Sequence, residues 1–373
     1  MRSLVLLTLT QLVYFYTSTT ESFCPIVNKI PYSSTTTSSS SSYYTRLHAD
    51  LITFDLDDTI FPVGPVVHDA NEALICHLNQ IGYDTITQES LISSTKYIRN
   101  ELLKNNDKVI TYTELRKRAI CLEMNKCDND NKNNHNGSSS NERKFTSEEV
   151  LKAYDIWETN RHLAAERHLY HDTIPMLQSL KQKYPLVTIG AITNGKGNPL
   201  HMKETIHEYF DFCISGEDDD VFPFRKPHEE IYRKSLIRYY NLRGIEAEKE
   251  KKSKVWIHVG DDLANDVGAS AKCGAFAIWA DLNDDEYNQS ASKRFQDQTK
   301  KSSINTATNT SSSSSTQPFW STATKDELDK RKKLNDESMS FVSAKIEKLS
   351  DLQSTIESII ASINTEEITN KYR

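Results

Sequence analysis

The apolar positions along this chain change period several times, and the changes outline a fold. Residues 50–57, DLITFDLD, form an apolar run that ends in acids, and the pattern predicts a strand. The stretches LVTIGAITN (186–194), KVWIHVGD (254–261) and AFAIWAD (275–281) are apolar without alternation, as in parallel strands buried on both faces. Helical spacing predicts helices between them at 173–185, stopped by Pro185, at 198–210, at 227–241 and at 263–273. From residue 63 to 170 the pattern is helical nearly throughout, in segments 68–82, 90–105, 111–125 and 147–167. Strands alternating with helices predict an α/β fold, a doubly wound parallel sheet, with the 63–170 block inserted after the first strand as a helical cap.

The core is then expected at 49–62 and 171–283, and residues 340–373 are expected to return to it as an edge strand and a final helix. Two stretches lack the apolar residues that burial requires: Asn- and Ser-rich 125–144 inside the cap, and a low-complexity insertion over 284–339, poorest at 284–319. The amino-terminal residues read as an address. Arg2 and a short apolar run give 1–22 the shape of a signal peptide, and 23–48 is Ser/Thr-rich, with no acid between Glu21 and Asp50. Signal peptide, then Phe23, then a transit-peptide-like segment resembles a bipartite plastid presequence. Plain secretion is the alternative.

Charge and cysteines narrow the chemistry. A net charge of −7 offers no broad attraction for nucleic acid. The six cysteines include no CxxC pair, so the expectation is free thiols and no zinc centre.

The strand ends carry the candidate site. The first strand ends in Asp55, Asp57, Asp58 and Thr59, the second in Thr193, Asn194 and Gly195, and the strand at 254–261 in Asp261 and Asp262, with Asp266 beyond. Lys226 precedes a helix start. Ligand sites of open α/β sheets lie beyond the carboxyl ends of the strands. Several acids meeting one lysine and one threonine there make a place for a divalent cation and an anion. All-oxygen ligands favour Mg²⁺.

Acid pair, threonine turn, lysine and GDxxxxD, in this order, resemble the haloacid dehalogenase superfamily over about residues 50–281, with the cap in the type I position. The resemblance implies that Asp55 is the nucleophile that takes a phosphoryl group. Asp57 would be the general acid for the leaving oxygen and then the base for water. Thr193, the Asn194 backbone and Gly195 would bind the phosphoryl group, and Lys226 would neutralise it together with Asp55. Mg²⁺ would sit on Asp55, Asp261 and the Asp57 backbone carbonyl. Thr59 would support the turn and Asp57, and Asp266 would orient Lys226 or a metal-bound water. No role is assigned to Asp58 or Asp262.

The physics agrees: a carboxylate attacking an anionic phosphate needs a cation between them, and a covalent intermediate splits one hard step into two. An acid at the Asp57 position separates phosphate chemistry from dehalogenation within the resemblance. Residues 51–67, 184–199, 225–232 and 257–279 are most similar to flavin-pathway phosphatases, which act on 5-amino-6-(5-phospho-D-ribitylamino)uracil and in some cases FMN. Another sugar or nucleotide phosphate, or a non-catalytic scaffold, is the alternative. Tyr154, Trp157 and Leu163 read first as packing between helices, and as a stacking face for a flavin-like ring second. The expected partner is a small phosphorylated metabolite, with no nucleic acid and no membrane anchor once the leader is removed.

Overall fold

The structure, a computed structural model, describes residues 48–105, 109–134, 145–245, 255–282 and 325–371. The leader at 1–47 and most of the two low-complexity stretches lie outside these residues. Among the described residues six parallel strands form one sheet in the order β3-β2-β1-β4-β5-β6. They are β1 (Ala49–Phe54), β2 (Thr188–Thr193), β3 (Phe212–Ser215), β4 (Val255–Gly260), β5 (Phe276–Ala280) and β6 (Val342–Ile346). Every residue of β2 and β4 is buried, which accounts for their apolar runs without alternation.

Helices cover both faces. Ile52 and Phe54 of β1 belong to an apolar cluster with Met176, Leu177 and Leu180 of α5 (Thr173–Lys183) and Ile356, Ile359 and Ile360 of α9 (Leu352–Lys371). Leu51 points the other way, into a cluster with Ile231, Tyr232 and Tyr239 of α6 (Glu229–Arg243) and Ala269 of α7 (Ala269–Lys272). Successive side chains of a strand alternate between faces, so β1 supplies both cores. The strand order reverses between β1 and β4, and the crevice at that switch point is where such sheets bind ligands.

Four helices follow β1: α1 (Val63–Gln80), α2 (Gln88–Lys104), α3 (Tyr112–Asn134) and α4 (Ser147–Arg167). They pack on each other through Leu74, Leu78, Ile120, Met124, Val150, Tyr154 and Trp157, a core separate from that of the sheet. Thr87 and Thr146 close capping boxes at the starts of α2 and α4, which satisfies exposed amide groups there. Asp58 has a left-handed backbone (φ 62°), and its Oδ1 accepts the Val63 N–H at 3.0 Å. It turns the chain out of β1 and into α1, a role the sequence did not suggest.

The structure departs from the pattern at four places. Residues 198–210 form no α-helix, only 3₁₀ turns at Pro199–His201 and His207–Tyr209. Met202, Ile206 and Phe210 are buried at the helical spacing that suggested one, but the Glu204 N–H is taken by Glu166 Oε1 of α4 at 2.9 Å. Strand β3, four residues long, has too short an apolar run to be seen in the pattern. Helix α3 runs on to Asn134, past the expected boundary at 125: Lys126 pairs with Glu123 at 2.6 Å, and Cys127 packs on the cap core. Residues 325–338 of the expected low-complexity insertion form helix α8 (Lys325–Ser338), whose position is taken up below.

β2 and β3 approach closely at Gly190, which pairs with Phe212; a Cβ there would lie 2.2 Å from the Phe212 ring. Gly190→Ala is therefore expected to destabilise the fold by roughly 1–3 kcal/mol through overpacking. A urea denaturation midpoint equal to that of the parent protein would refute this.

Candidate active site

The carboxyl ends of β1 and β4 lie side by side, because Phe54 pairs with Val259 and the Asp55 N–H donates to the Val259 carbonyl at 2.9 Å. Asp55 therefore emerges next to Asp261. Carboxylate oxygens of Asp55, Asp261 and Asp266 lie within 4.8 Å of one another, all three residues buried. Lys226 Nζ donates to Asp55 Oδ1 at 2.5 Å and to Asp266 Oδ1 at 2.7 Å. Burial alone would lower the Lys226 pKa, but Asp266 and Asp55 outweigh it and raise it. The same balance holds Asp266 down at about 2, where Lys226 and His258 prevail over burial.

Lys226 is placed by a side-chain clamp from the second strand end. Asn194 Oδ1 accepts the Lys226 N–H at 2.8 Å, and Asn194 Nδ2 donates to the Lys226 carbonyl at 3.1 Å. The turn after β2 is fixed as well: Gly195 N–H donates to Thr193 Oγ1 at 3.3 Å, and Ser215 Oγ donates to the Gly195 carbonyl at 2.7 Å. Behind the site His258 Nε2 lies 3.5 Å from Asp266 Oδ1, while its Nδ1 is 2.8 Å from Thr53 Oγ1. Gly260 has no room for a side chain, since a Cβ would lie 2.4 Å from Asp266.

Asp261 is left uncompensated. It is 4 % exposed, and its Oδ2 finds no hydrogen-bond partner among the described residues. Burial, then the charges of Asp55 and Asp266, push its pKa well up. Buried carboxylates this close, with an unpartnered oxygen between strand ends and only oxygen donors, fit a hard divalent cation. Asp55 and Asp261 would hold it. Asp266 belongs to the acid cluster but is already committed to Lys226.

One expected contact is missing, that of the Thr59 hydroxyl with Asp57. The Asp57 carboxylate lies outside the acid cluster and accepts from Arg161 Nη2 of α4 at 2.8 Å. The Thr59 hydroxyl is buried without a partner among the described residues, and so does not support Asp57. Its backbone serves the turn as expected, the Thr59 N–H donating to the Leu56 carbonyl at 3.2 Å. Asp262, which had no role, accepts the Asn265 N–H at 2.7 Å and donates its own N–H to Asp266 Oδ2 at 3.1 Å.

Pattern reading missed Arg161, His258 and Arg331. Arg161 looked like one cation among many on a helix, and Arg331 sat in a stretch read as low complexity. Arg331 Nη2 donates to Asp262 Oδ2, and Asn335 Oδ1 accepts the Ala264 N–H at 3.0 Å, so α8 lies against the turn that carries Asp261. Gly268 permits the contact, since a Cβ there would meet Ser338 Oγ at 2.2 Å.

The cap closes over this floor. Glu217, after β3, accepts the N–H groups of Tyr112 and Thr113 and the Thr113 hydroxyl, which docks the amino end of α3 on the core. The cavity between cap and floor, open on one side to solvent, is about 620 Å³. Tyr154 and Trp157 are packed in the cap core and also line the cavity, whereas Leu163 is exposed and is no packing residue. The described cysteines are all free thiols. No helix among the described residues is long and apolar enough to cross a membrane.

A parallel sheet in this order, with an acid pair after β1 and the lysine and GDxxxxD turn around it, defines a haloacid dehalogenase-like hydrolase. The model of that family matches residues 49–274, and the chain belongs to it. Similar solved structures include a 2-haloacid dehalogenase from Pseudomonas syringae pv. Tomato DC3000, at 18% identity over 83% of this chain and 99% of that one, TM-score 0.49. A phosphatase of the family from Thermococcus onnurineus has 19% identity over 65% and 91%, TM-score 0.32. A β-phosphoglucomutase from Clostridium difficile has 17% identity over 62% and 85%, TM-score 0.33. These likenesses carry no argument about which reaction this chain performs. No curated protein matches the chain.

The acid cluster makes a pH prediction. Burial pushes Asp55 up from 3.8 to about 7, with Lys226 opposing and Asp266 and Asp57 adding to the rise. Below about pH 4 the group is protonated folded or unfolded, and no penalty exists. The penalty grows as pH rises from 4 to 7 and is complete above that, on the order of 4 kcal/mol. In chelator, the stability of the parent protein relative to Asp55→Asn is expected to fall between pH 5 and pH 8. Urea unfolding of both proteins at the two pH values measures it, and a constant difference would refute the assignment.

Proposed function

We propose that this hydrolase is a Mg²⁺-dependent phosphomonoesterase working through an aspartyl-phosphate on Asp55. The observation that carries the reading is Lys226 at 2.5 Å from Asp55, beside the unpartnered buried carboxylate oxygen of Asp261. A nucleophile needs a cation to meet an anionic ester, and that pairing supports one. Asp55 and Asp261 would hold Mg²⁺, which would supply further charge neutralisation.

In the first step an Asp55 oxygen attacks phosphorus, and the bond from phosphorus to the leaving oxygen breaks. Asp57 gives that oxygen its proton. In the second step Asp57, now a carboxylate, takes a proton from water as the water oxygen attacks phosphorus. The Asp55–phosphorus bond breaks, and inorganic phosphate and free Asp55 result. Proton transfer of this kind contributes roughly 10²–10⁴-fold. Thr193, the Asn194 N–H and Lys226 hold the phosphoryl oxygens, and Arg161 fixes the orientation of Asp57 from the cap.

The substrate reading is a flavin-pathway phosphate ester, 5-amino-6-(5-phospho-D-ribitylamino)uracil or FMN. The likeness of residues 51–67, 184–199, 225–232 and 257–279 to those phosphatases supports it. So does a cavity of about 620 Å³ with Tyr112, Tyr154 and Trp157 in its wall, since a planar ring stacks on such faces. The plastid address is proposed on the composition of residues 1–48.

Purified protein is expected to release inorganic phosphate from FMN with Mg²⁺, and chelation should remove this activity and lower the melting temperature together. Asp55→Asn should abolish turnover with the fold retained. Turnover by Asp55→Asn close to that of the parent would end the aspartyl-phosphate reading. For the address, residues 1–48 fused to a fluorescent reporter should carry it into the plastid; recovery of the reporter in the medium would establish secretion instead.

A further inference from the structure

The cap carries a charged group that the phosphoryl chemistry leaves unused. Its residues lining the cavity include Asn71, Arg99, Arg116, Trp157 and Arg161 and no acid. Arg161 is spent on Asp57. Arg116, on α3, makes no ion pair among the described residues. Its guanidinium carbon stands 3.7 Å from the centre of the Trp157 ring, and its Nη1 donates to Asn71 Oδ1 at 2.9 Å. The same oxygen accepts from Trp157 Nε1 at 3.0 Å. Three helices thus hold one arginine in a fixed plane: α1 through Asn71, α3 through its own backbone, and α4 through Trp157.

A guanidinium in this state is unusual in two respects. Burial pulls it down to about 10; the groups that act on its charge are Tyr154, Arg161 and Glu217, and Asp55, Asp57, Asp261 and Asp266 are not among them. Glu217 is occupied by the amino end of α3 and lies 3.6 Å from Arg225. The remaining N–H groups of Arg116 make no hydrogen bond to a described residue. A half-buried cation with donors open to the cavity, set apart from the phosphoryl site, is complementary to a group carried by the far end of a substrate. The planar fork of an arginine matches two acceptor atoms lying side by side in one plane.

We propose that Arg116, locked by Asn71 and Trp157, is the specificity-determining residue for the leaving group and binds a pair of adjacent in-plane acceptors on it. This inference rests on the phosphomonoesterase reading. A carboxylate offers such a pair, and so does the N–C=O edge of a planar heterocycle. Trp157 holds Arg116 from one face, so the fork presents its edge to the ligand. A phosphate ester lacking such a pair gains nothing from Arg116 in the transition state or before it. The group acts on binding and leaves the reacting bonds alone, and its loss belongs in KM more than in kcat.

The test compares the parent protein with Arg116→Met and Arg116→Lys on three esters: FMN, which carries the heterocycle edge, 3-phosphoglycerate, which carries a carboxylate, and methyl phosphate, which carries neither. Arg116→Met is expected to raise KM roughly 10–100-fold for FMN, for 3-phosphoglycerate or for both, the range for losing charge-assisted hydrogen bonds. Its kcat should change less than about threefold, and kcat/KM for methyl phosphate should fall at least about tenfold less. A loss on FMN assigns the heterocycle edge, and a loss on 3-phosphoglycerate assigns the carboxylate. Arg116→Lys keeps the charge and loses the fork, so it should resemble Arg116→Met; full recovery by lysine overturns the fork. Equal losses on all three esters, or no loss on any, overturn the proposal.

Melting curves establish that the variants fold, and Arg116→Lys serves if the Met variant does not. If the parent protein hydrolyses none of the esters, the phosphatase reading fails while Arg116 is still tested. FMN fluorescence and calorimetry with 3-phosphoglycerate then measure equilibrium binding. Weaker binding by Arg116→Lys or Arg116→Met upholds the proposal, and unchanged or absent binding overturns it.

Discussion

Four carboxylates, Asp55, Asp261, Asp262 and Asp266, are buried at the adjoining carboxyl ends of β1 and β4, and the structure around them is arranged to make that tolerable. Like charges in a dry site repel, and each pays desolvation as well. Lys226 compensates Asp55 and Asp266 from one side, and Arg331 compensates Asp262 from the other. Asp261 is the member left over, and the proposed divalent cation, shared with Asp55, would complete the balance. Much of the surrounding detail follows from this one constraint. Asn194 clamps the Lys226 backbone, Gly260 makes room for Asp266, and Asp262 spends its amide on the Asp266 carboxylate.

The sheet delivers these groups to one place. β1 and β4 are neighbours at the point where the strand order reverses, so their carboxyl ends open into one crevice. The loops there carry the chemistry, while the strands below are packed on both faces and hold them rigidly. The cap is assembled on a different core, through Leu74, Ile120, Val150 and Trp157, and meets the sheet through polar contacts such as Glu217 with the start of α3 and Arg161 with Asp57. The role proposed for Arg116 rests on this division, because three cap helices fix it and no acid of the floor does.

Helix α8 extends the same logic to a part of the chain that carries no family motif. It follows the Ser/Thr-rich stretch, and its polar face has Arg331 and Asn335 one turn apart, a spacing that places them on one side of a helix. Both reach the Asp262 turn, and Lys330, Arg331 and Leu334 add a wall to the cavity. The turn that carries Asp261 is thereby held from outside the sheet as well as from within it.

Read alone, the sequence determined the α/β class, the buried strands β1, β2, β4 and β5, the helical block after β1, and the acids and lysine of the floor. These were legible because burial on two faces leaves long apolar runs, and because the residues beyond a strand end are placed by the strand itself. What lay outside its reach depended on partners distant in the chain. β3 is too short to carry a period, and residues 198–210 kept helical spacing while Glu166 took an amide that a helix would have used. Arg161, Arg116 and Arg331 are ordinary cations in the sequence. Only the tertiary structure pairs the first with Asp57, stacks the second on Trp157 and sets the third on Asp262, because the worth of a charge depends on what surrounds it once water is removed.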